Sequence, residues 1–260
     1  MNSLSIDIGN SKIKLDYWAD DGILYRQSYD EVPFDDIKKE CDILDLKGII
    51  ISSVRKDTGI LAARMKEVTG CDTVVDFNQE EISKYHDRIK YKGRVGADRI
   101  AAFLGSEALA SKRAKLIIDA GTAITLDIAD EDGNYRGGNI SLGLYSRMKD
   151  LAKATDLLPE IKDCFTNQLF GDDTKSAIMA GAKNGVIGEV LYTVKLAKQL
   201  YNIGLVLVTG GDYLNFYRDI EQEFNPCFYD QDLVGRGLNW HLRKFYFPDV
   251  FLKTKFFPSI

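Results

Sequence analysis

Two short turns constrain this chain more than anything else in it. Asp7-Ile8-Gly9-Asn10-Ser11 and Asp119-Ala120-Gly121-Thr122 share an Asp-x-Gly core, and the offset of 112 positions from Asp7 to Asp119 equals that from Gly9 to Gly121. Each turn follows an apolar run (Leu4 to Ile8, Leu116 to Ile118). Each leads into a second run, Lys12-Ile13-Lys14-Leu15 in one and Ile124-Thr125-Leu126-Asp127 in the other. Each second run meets a hairpin signal, Asp21-Gly22 or Asp132-Gly133, and Asp-Gly between alternating segments marks a tight turn. One β-turn-β-turn-β unit is therefore written twice, and two such units could hold a charged ligand from both sides.

The rest of the chain reads as the same plan repeated. Strands are expected at 3–9, 12–18 and 23–29, a helix from Phe34 to Cys41, a buried strand from Gly48 to Val54, a helix at 57–69 and a strand at 73–76. From Asp98 to Ser111, Ile100, Phe103, Leu104 and Leu109 recur at helical spacing. The second half offers strands at 115–119, 123–129 and 134–140, helices at 143–155 and 174–200, and a buried strand Leu205–Val208 entering Thr209-Gly210-Gly211-Asp212. A last helix at 233–244 carries Trp240, and a Phe-rich tail from Phe247 is expected to dock on the body. Alternating strands and helices predict an α/β fold, with two similar domains of mixed sheet flanked by helices. The division expected at Lys112-Arg113 gives halves 1–112 and 113–260, with the ligand in the cleft between them.

Composition excludes several classes. The 260 residues carry a net charge of −5, which leaves no basic footprint for nucleic acid. The four cysteines (Cys41, Cys71, Cys164, Cys227) are far apart, as free thiols in a reducing compartment would be. Two histidines, His86 and His241, are too few for a multi-histidine metal site and read as surface and packing residues. Asp7 interrupts any signal-peptide core. No apolar run approaches the ~20 residues that cross a bilayer. A cytoplasmic protein with no membrane partner is expected.

Six segments carry groups suited to chemistry. In the first turn, Gly9 admits close approach of a ligand or a positive φ, Asn10 and Ser11 add donors, and Lys14 adds a point charge, so the loop can cradle phosphate oxygens. Asp7 repels phosphate unless a cation such as Mg²⁺ lies between them. A plain hairpin with an Asx-turn is the competing reading. Asp119, Thr122 and Thr125 repeat the arrangement. Gly96-Ala97-Asp98-Arg99 opens a helix, where Asp98 reads as an N-cap or as a base for a hydroxyl, with Arg99 for an anionic acceptor. Gly137-Gly138-Asn139-Ile140 and Thr209-Gly210-Gly211 are glycine junctions. Gly171-Asp172-Asp173-Thr174 opens a long helix, and its spacing favours Thr174 as the N-cap over a donor to substrate.

In order and together, these strings resemble the type III pantothenate kinases of the actin-like ATPase and sugar-kinase superfamily, whose ribonuclease H-like fold is duplicated. The matching pieces are Asp7-Ile8-Gly9-Asn10-Ser11 with Lys14, Gly96–Arg99, Asp119–Thr125, Gly137-Gly138-x-Ile140, Gly171-x-x-Thr174 and Thr209–Gly211. The resemblance implies ATP-dependent phosphorylation of pantothenate, the first committed step toward coenzyme A. It implies Asp98 as base, and ATP held by Asp7, Ile8, Gly9, Asn10, Ser11, Lys12, Ile13, Lys14 and Thr122. It implies pantothenate held by Gly96, Ala97, Asp98, Arg99 and Thr174, and a monovalent cation, K⁺ or NH₄⁺, on Asp119. It also implies Mg²⁺ with the ATP and a homodimer whose pocket draws on both subunits. Two positions depart from the family pattern. Leu142 replaces the usual Pro before Gly143. The substrate-facing Tyr usually seven residues before the quartet is matched here only by Tyr91, five before, with Ile89 at the usual spacing. A regulator on the same fold and a kinase for another small hydroxyl are the alternatives; retention of Asp7, Asp98 and Asp119 favours the enzyme.

Overall fold

The computed structural model describes residues 1–20, 22–55, 58–164 and 166–251. Asp21 of the first hairpin signal, Asp57 at the start of the expected second helix, and the tail beyond Phe251 lie outside them. In chain order the elements are β1 (Asn2–Ile8), β2 (Ile13–Ala19), β3 (Gly22–Tyr29), α1 (Phe34–Leu44), β4 (Gly48–Ser53), α2 (Thr58–Thr69), β5 (Thr73–Asp76), α3 (Gln79–Ser83) and α4 (Ala97–Leu109). Then follow β6 (Lys115–Ala120), β7 (Ala123–Ala129), β8 (Tyr135–Leu142), α5 (Leu144–Lys153), α6 (Thr174–Tyr201), β9 (Leu205–Thr209), α7 (Tyr217–Glu223), β10 (Cys227–Tyr229), α8 (Leu233–Tyr246) and α9 (Pro248–Phe251).

The strands form two sheets of one design. The first runs β3-β2-β1-β4-β5, the second β8-β7-β6-β9-β10. In each, the strand before the Asp-x-Gly turn is central. It pairs antiparallel with the strand after the turn and parallel with a crossover strand. The duplication legible in the turns is thus a duplication of topology.

The compact units, however, do not follow the expected halves 1–112 and 113–260. One unit holds Met1–Lys112, Gly133–Tyr135 and the described residues from Asp232 onward; the other holds Arg113–Asp132 and Arg136–Gln231. The physical reason is the close packing of α8 on α4. A Cβ on Gly105 would lie 2.0 Å from the Leu233 carbonyl oxygen, and one on Gly237 would lie 1.8 Å from that of Ala101. Only with hydrogen at both positions can the two backbones meet. Every residue of α4 from Arg99 to Ala108 is buried.

The first sheet uses its two faces differently. Leu4, Ile6 and Ile8 of β1 join Ile13, Leu15 and Tyr17 of β2 in a core with Ile37 and Cys41 of α1 and Met65 of α2. The alternate positions meet α8 through polar groups: Ser3 Oγ donates to Asn239 Oδ1 at 2.7 Å. Asp16, 2 % exposed, takes two bonds from Arg26, Nε at 2.5 Å and Nη2 at 2.8 Å. A Cβ on Gly235 would meet the Asp16 carboxylate at 1.9 Å, so α8 closes over that ion pair. His241 of α8 is fully buried, as a packing residue, between Glu81 (Nε2, 2.6 Å) and the Tyr85 hydroxyl (Nδ1, 2.8 Å). The second unit is built on Leu116, Ile118, Leu126, Val206 and Val208, which pack with Met148 of α5 and Val186, Val190 and Val194 of α6. All four cysteines are free and buried. Among the described residues no helix is long and apolar enough to cross a membrane.

Candidate active site

The first turn is Gly9–Lys12, closing the β1–β2 hairpin with Ile8 opposite Ile13 and Asp7 opposite Lys14. Gly9 N–H donates to the Lys12 carbonyl at 3.0 Å. Gly9 does not adopt a positive φ, and a Cβ there would meet only the Lys12 oxygen, at 3.3 Å. Of the two readings of Gly9, the positive φ is therefore not adopted; the other is close approach of a ligand. Asn10, Ser11 and Lys12 are exposed, and Asp7 and Lys14 are half-buried. Lys12 pairs with Asp30 at 2.7 Å, an exposed contact. The structure adds a residue that sequence reasoning passed over. Arg55, just past β4, donates from Nε to the Gly9 carbonyl at 2.9 Å and from Nη2 to the Asn10 carbonyl at 3.1 Å.

At the start of α4, Gly96 is the N-cap residue and makes no side-chain cap; Asp98 stands in the first turn. Its Oδ1 accepts the Arg99 backbone N–H at 2.9 Å. A Cβ on Gly96 would lie 2.5 Å from that oxygen. Gly96 is thus needed to seat the Asp98 carboxylate over the helix start, where the macrodipole favours negative charge. Arg99 is 6 % exposed. Its guanidinium carbon lies 6.0 Å from the ring centres of both Tyr91 and Tyr135, which meet edge to face at 6.2 Å. Tyr91 therefore stands beside Arg99, despite the shortened spacing, with 39 % of its surface exposed.

The second turn, Gly121–Ala123, lies within the other unit. Asp119 stands opposite Thr125 on β7 and Thr209 on β9. Gly121 N–H donates to the Ala123 carbonyl at 3.0 Å. Two later glycines clamp this turn through backbone contact. A Cβ on Gly143 would fall 1.9 Å from the Gly121 oxygen, and one on Gly210 would fall 2.1 Å from the Ala120 oxygen. Gly210 also has φ of +93°, where an L side chain is strained. Gly143 N–H (2.9 Å) and Ser146 Oγ (2.7 Å) both donate to the Thr122 carbonyl. Leu142, in place of the family's Pro, leaves this contact intact; its carbonyl accepts from Arg147 Nε at 2.8 Å. Asp212, unremarked beyond its place after Gly-Gly, donates its N–H to the Ala120 carbonyl at 3.0 Å, and burial pushes its carboxyl above the usual carboxylate range.

Thr174 is not the N-cap that its spacing favoured. Asp173 caps α6 and accepts the Ser176 N–H at 2.6 Å in a capping box, while Thr174 is the first helical residue. Its side chain lines a pocket of about 620 Å³ with Arg147, Met148, Leu151, Leu158 and Ile178. A Cβ on Gly171 would fall 2.0 Å from the Ala177 nitrogen, which explains the glycine three residues before Thr174.

Among the described residues no three acidic, histidine or cysteine side chains converge on a metal cage. Mg²⁺ is usually held by one or two carboxylates together with substrate phosphates and water. Asp7 and Asp119 are carboxylates of that kind, each at the end of a central strand.

Two sheets of identical order, each ending its central strand in an Asp-x-Gly turn, define the fold of the actin-like ATPases and sugar kinases. Solved structures agree on the fold. The ADPNP-bound activator of 2-hydroxyisocaproyl-CoA dehydratase from Clostridium difficile superposes with a TM-score of 0.54 at 13% identity, covering 100% of this chain and 99% of that one. A Campylobacter jejuni chain named for the Baf family of transcriptional activators gives 0.59 at 20% identity, covering 95% and 99%. The family model described as type III pantothenate kinase matches residues 3–196. The type III pantothenate kinase of Phocaeicola vulgatus is 32% identical over 91% of this chain and 96% of its own length. That of Bacteroides fragilis strain YCH46 is 30% identical over 91% and 96%. The chain belongs to the type III pantothenate kinase family, and is by that membership a kinase.

Proposed function

We propose that this protein transfers the γ-phosphoryl group of ATP to the terminal hydroxyl of pantothenate, giving 4'-phosphopantothenate for coenzyme A synthesis. Family membership carries the activity. The observation that best supports the acceptor is the start of α4, where Asp98, Arg99 and Tyr91 stand together. Arg99 pairs with the pantothenate carboxylate, and Tyr91 flanks it. Gly96 and Ala97 leave backbone open to the substrate, and Thr174 adds a hydroxyl. Asp98 accepts the hydroxyl proton as the oxygen attacks the γ-phosphorus. The P–O bond to the β-phosphate breaks in line, and ADP leaves with the electron pair.

Residues Asp7 to Lys14 hold the ATP phosphates, with Thr122 from the second turn. A divalent cation bridging phosphate and carboxylate would neutralise charge there. Asp119 holds K⁺ or NH₄⁺. A coupled assay for ADP with and without pantothenate, in K⁺ and again in Na⁺, tests the reading. ADP release that ignores pantothenate would overturn it. Asp98→Asn is expected to lower turnover by roughly 10²–10⁴, the usual worth of a general base; near-normal turnover would remove Asp98 from that role.

The protein acts as a homodimer in the cytoplasm. Exposed Leu157, Leu169, Phe170 and Tyr192 support a partner surface on the second unit, and Gly181 and Gly188 leave open space along α6. Four reduced cysteines suit the compartment. A species of 29.2 kDa, the chain's own mass, in sedimentation at micromolar concentration would refute the dimer.

A further inference from the structure

We infer that Arg55 is a positioning residue for phosphoryl transfer: its fork aims the backbone N–H groups of the first turn at ATP. This rests on the reading of that turn as the phosphate cradle. A trans peptide is planar, with its C=O and the following N–H pointing in opposite directions. Arg55 holds the carbonyls of Gly9 and Asn10, at 2.9 and 3.1 Å. It therefore fixes two successive peptide planes, and the N–H groups of Asn10 and Ser11 point to the far side of the turn. Two successive N–H groups facing one way make an anion-binding concavity. Without Arg55, either plane can rotate and present a carbonyl oxygen to the phosphate.

Arg55 is itself held by the sheet. Beyond the β1–β4 ladder, Val54 N–H donates to the Ile8 carbonyl at 3.1 Å, and Arg55 N–H donates to Ser53 Oγ at 2.9 Å. The register that sets β4 beside β1 thus delivers the guanidinium to the back of the turn. Arg55 does not serve as a direct phosphate ligand on its own side. There it lines a pocket of about 320 Å³ with Asp30 and Glu31 among the walls, an acidic setting that repels phosphate. Its function follows from shape as well as charge, because only a planar fork can hold two carbonyls in fixed relation.

The test is steady-state kinetics on Arg55→Ala and Arg55→Lys in the full chain, with thermal unfolding as a check on folding. Both variants are expected to raise KM for ATP roughly tenfold or more, the effect of losing charge-assisted bonds that orient a binding loop. The KM for pantothenate stays the same, and kcat changes by less than about threefold. A lysine variant that behaves as wild type would show that charge alone matters and overturn the proposal. So would an alanine variant with unchanged KM for ATP, or one in which both KM values rise together. Lys14→Ala is run beside them: if it too leaves the KM for ATP unchanged, the turn is not the phosphate cradle, and that reading fails together with the role of Arg55.

Discussion

The two Asp-x-Gly turns share a motif and a place in the sheet, yet they are stiffened by different means. Gly9–Lys12 is held from outside by an exposed side chain, Arg55, through two of its carbonyls. Gly121–Ala123, one residue tighter, is held by backbone: Gly143 and Gly210 lie against it where no side chain fits. A turn held by a side chain can change its partner when a ligand arrives, and its stiffness can be altered by one substitution. A turn held by glycine contact has no such freedom, since any added carbon displaces the strand itself. The repeat therefore records a shared topology, and the two copies have divided the mechanical work.

The largest expected effect breaks that comparison directly. Gly210→Ala adds a strained φ and a clash at 2.1 Å, and should destabilise the second unit by about 3 kcal/mol or more. Gly9→Ala meets one oxygen at 3.3 Å, and should stay within about 1 kcal/mol of wild type. Urea unfolding of the two variants checks both; equal losses would show that the turns are held alike.

Next in size is the pair of carboxylates. Asp119→Asn should reduce activity roughly ten- to a hundredfold and abolish the preference for K⁺ over Na⁺, whereas Asp7→Asn should lower activity and keep that preference. Rates measured in both salts separate the two turns by role.

Acid should act on the first unit, where both histidines lie. Burial holds His241 neutral, with its pKa pushed from 6.5 down to about 4, despite the Glu81 carboxylate beside it. Its unfolded form takes up a proton that the folded form refuses. Stability is therefore full above pH 6.5 and is lost between pH 6.5 and about 4, by about 3 kcal/mol. Glu81 adds to the loss at lower pH. Burial alone would raise its pKa, but bonds from Lys84, Tyr246 and His241 hold it below the usual range, so its contribution is present above pH 4.5 and fades as it protonates. A His241→Gln variant should show a flatter stability profile over pH 4–6.5 in denaturant titrations.

The smallest effect is expected at Lys12, whose pair with Asp30 is exposed on both sides. Lys12→Ala should change stability by less than about 0.5 kcal/mol. A larger loss would mean that the first turn depends on more than Arg55.

What could be read in advance followed from local chemistry. The strands beside each turn, the long helices and the glycines of the family strings are written in patterns a few residues long. Long-range contact was invisible there. The helix after Asp232 is legible as a helix, but its return to the first unit depends on Gly105 and Gly237 meeting across 132 residues of chain. Arg55 looks like any surface arginine until the pairing of β1 with β4 brings it to the turn. The three-residue β10 is too short to show a period, and the capping role of Asp173 was hidden beside Thr174, which is also a capping residue type. Tyr91 sat at the wrong spacing in the sequence; only the fold brings its ring to Arg99.

The return of the chain at Asp232 has a consequence during synthesis on the ribosome. Helix α4 is made well before α8, and translation at 5–20 residues per second leaves on the order of ten to thirty seconds between their completion. Throughout that interval the face of α4 that receives α8 has no cover, while the intervening unit already possesses all its own strands by Tyr229. The part of the chain synthesised first is thus the last to finish folding, and a nascent chain halted between Tyr229 and Asp232 would leave α4 bare while its second sheet was complete.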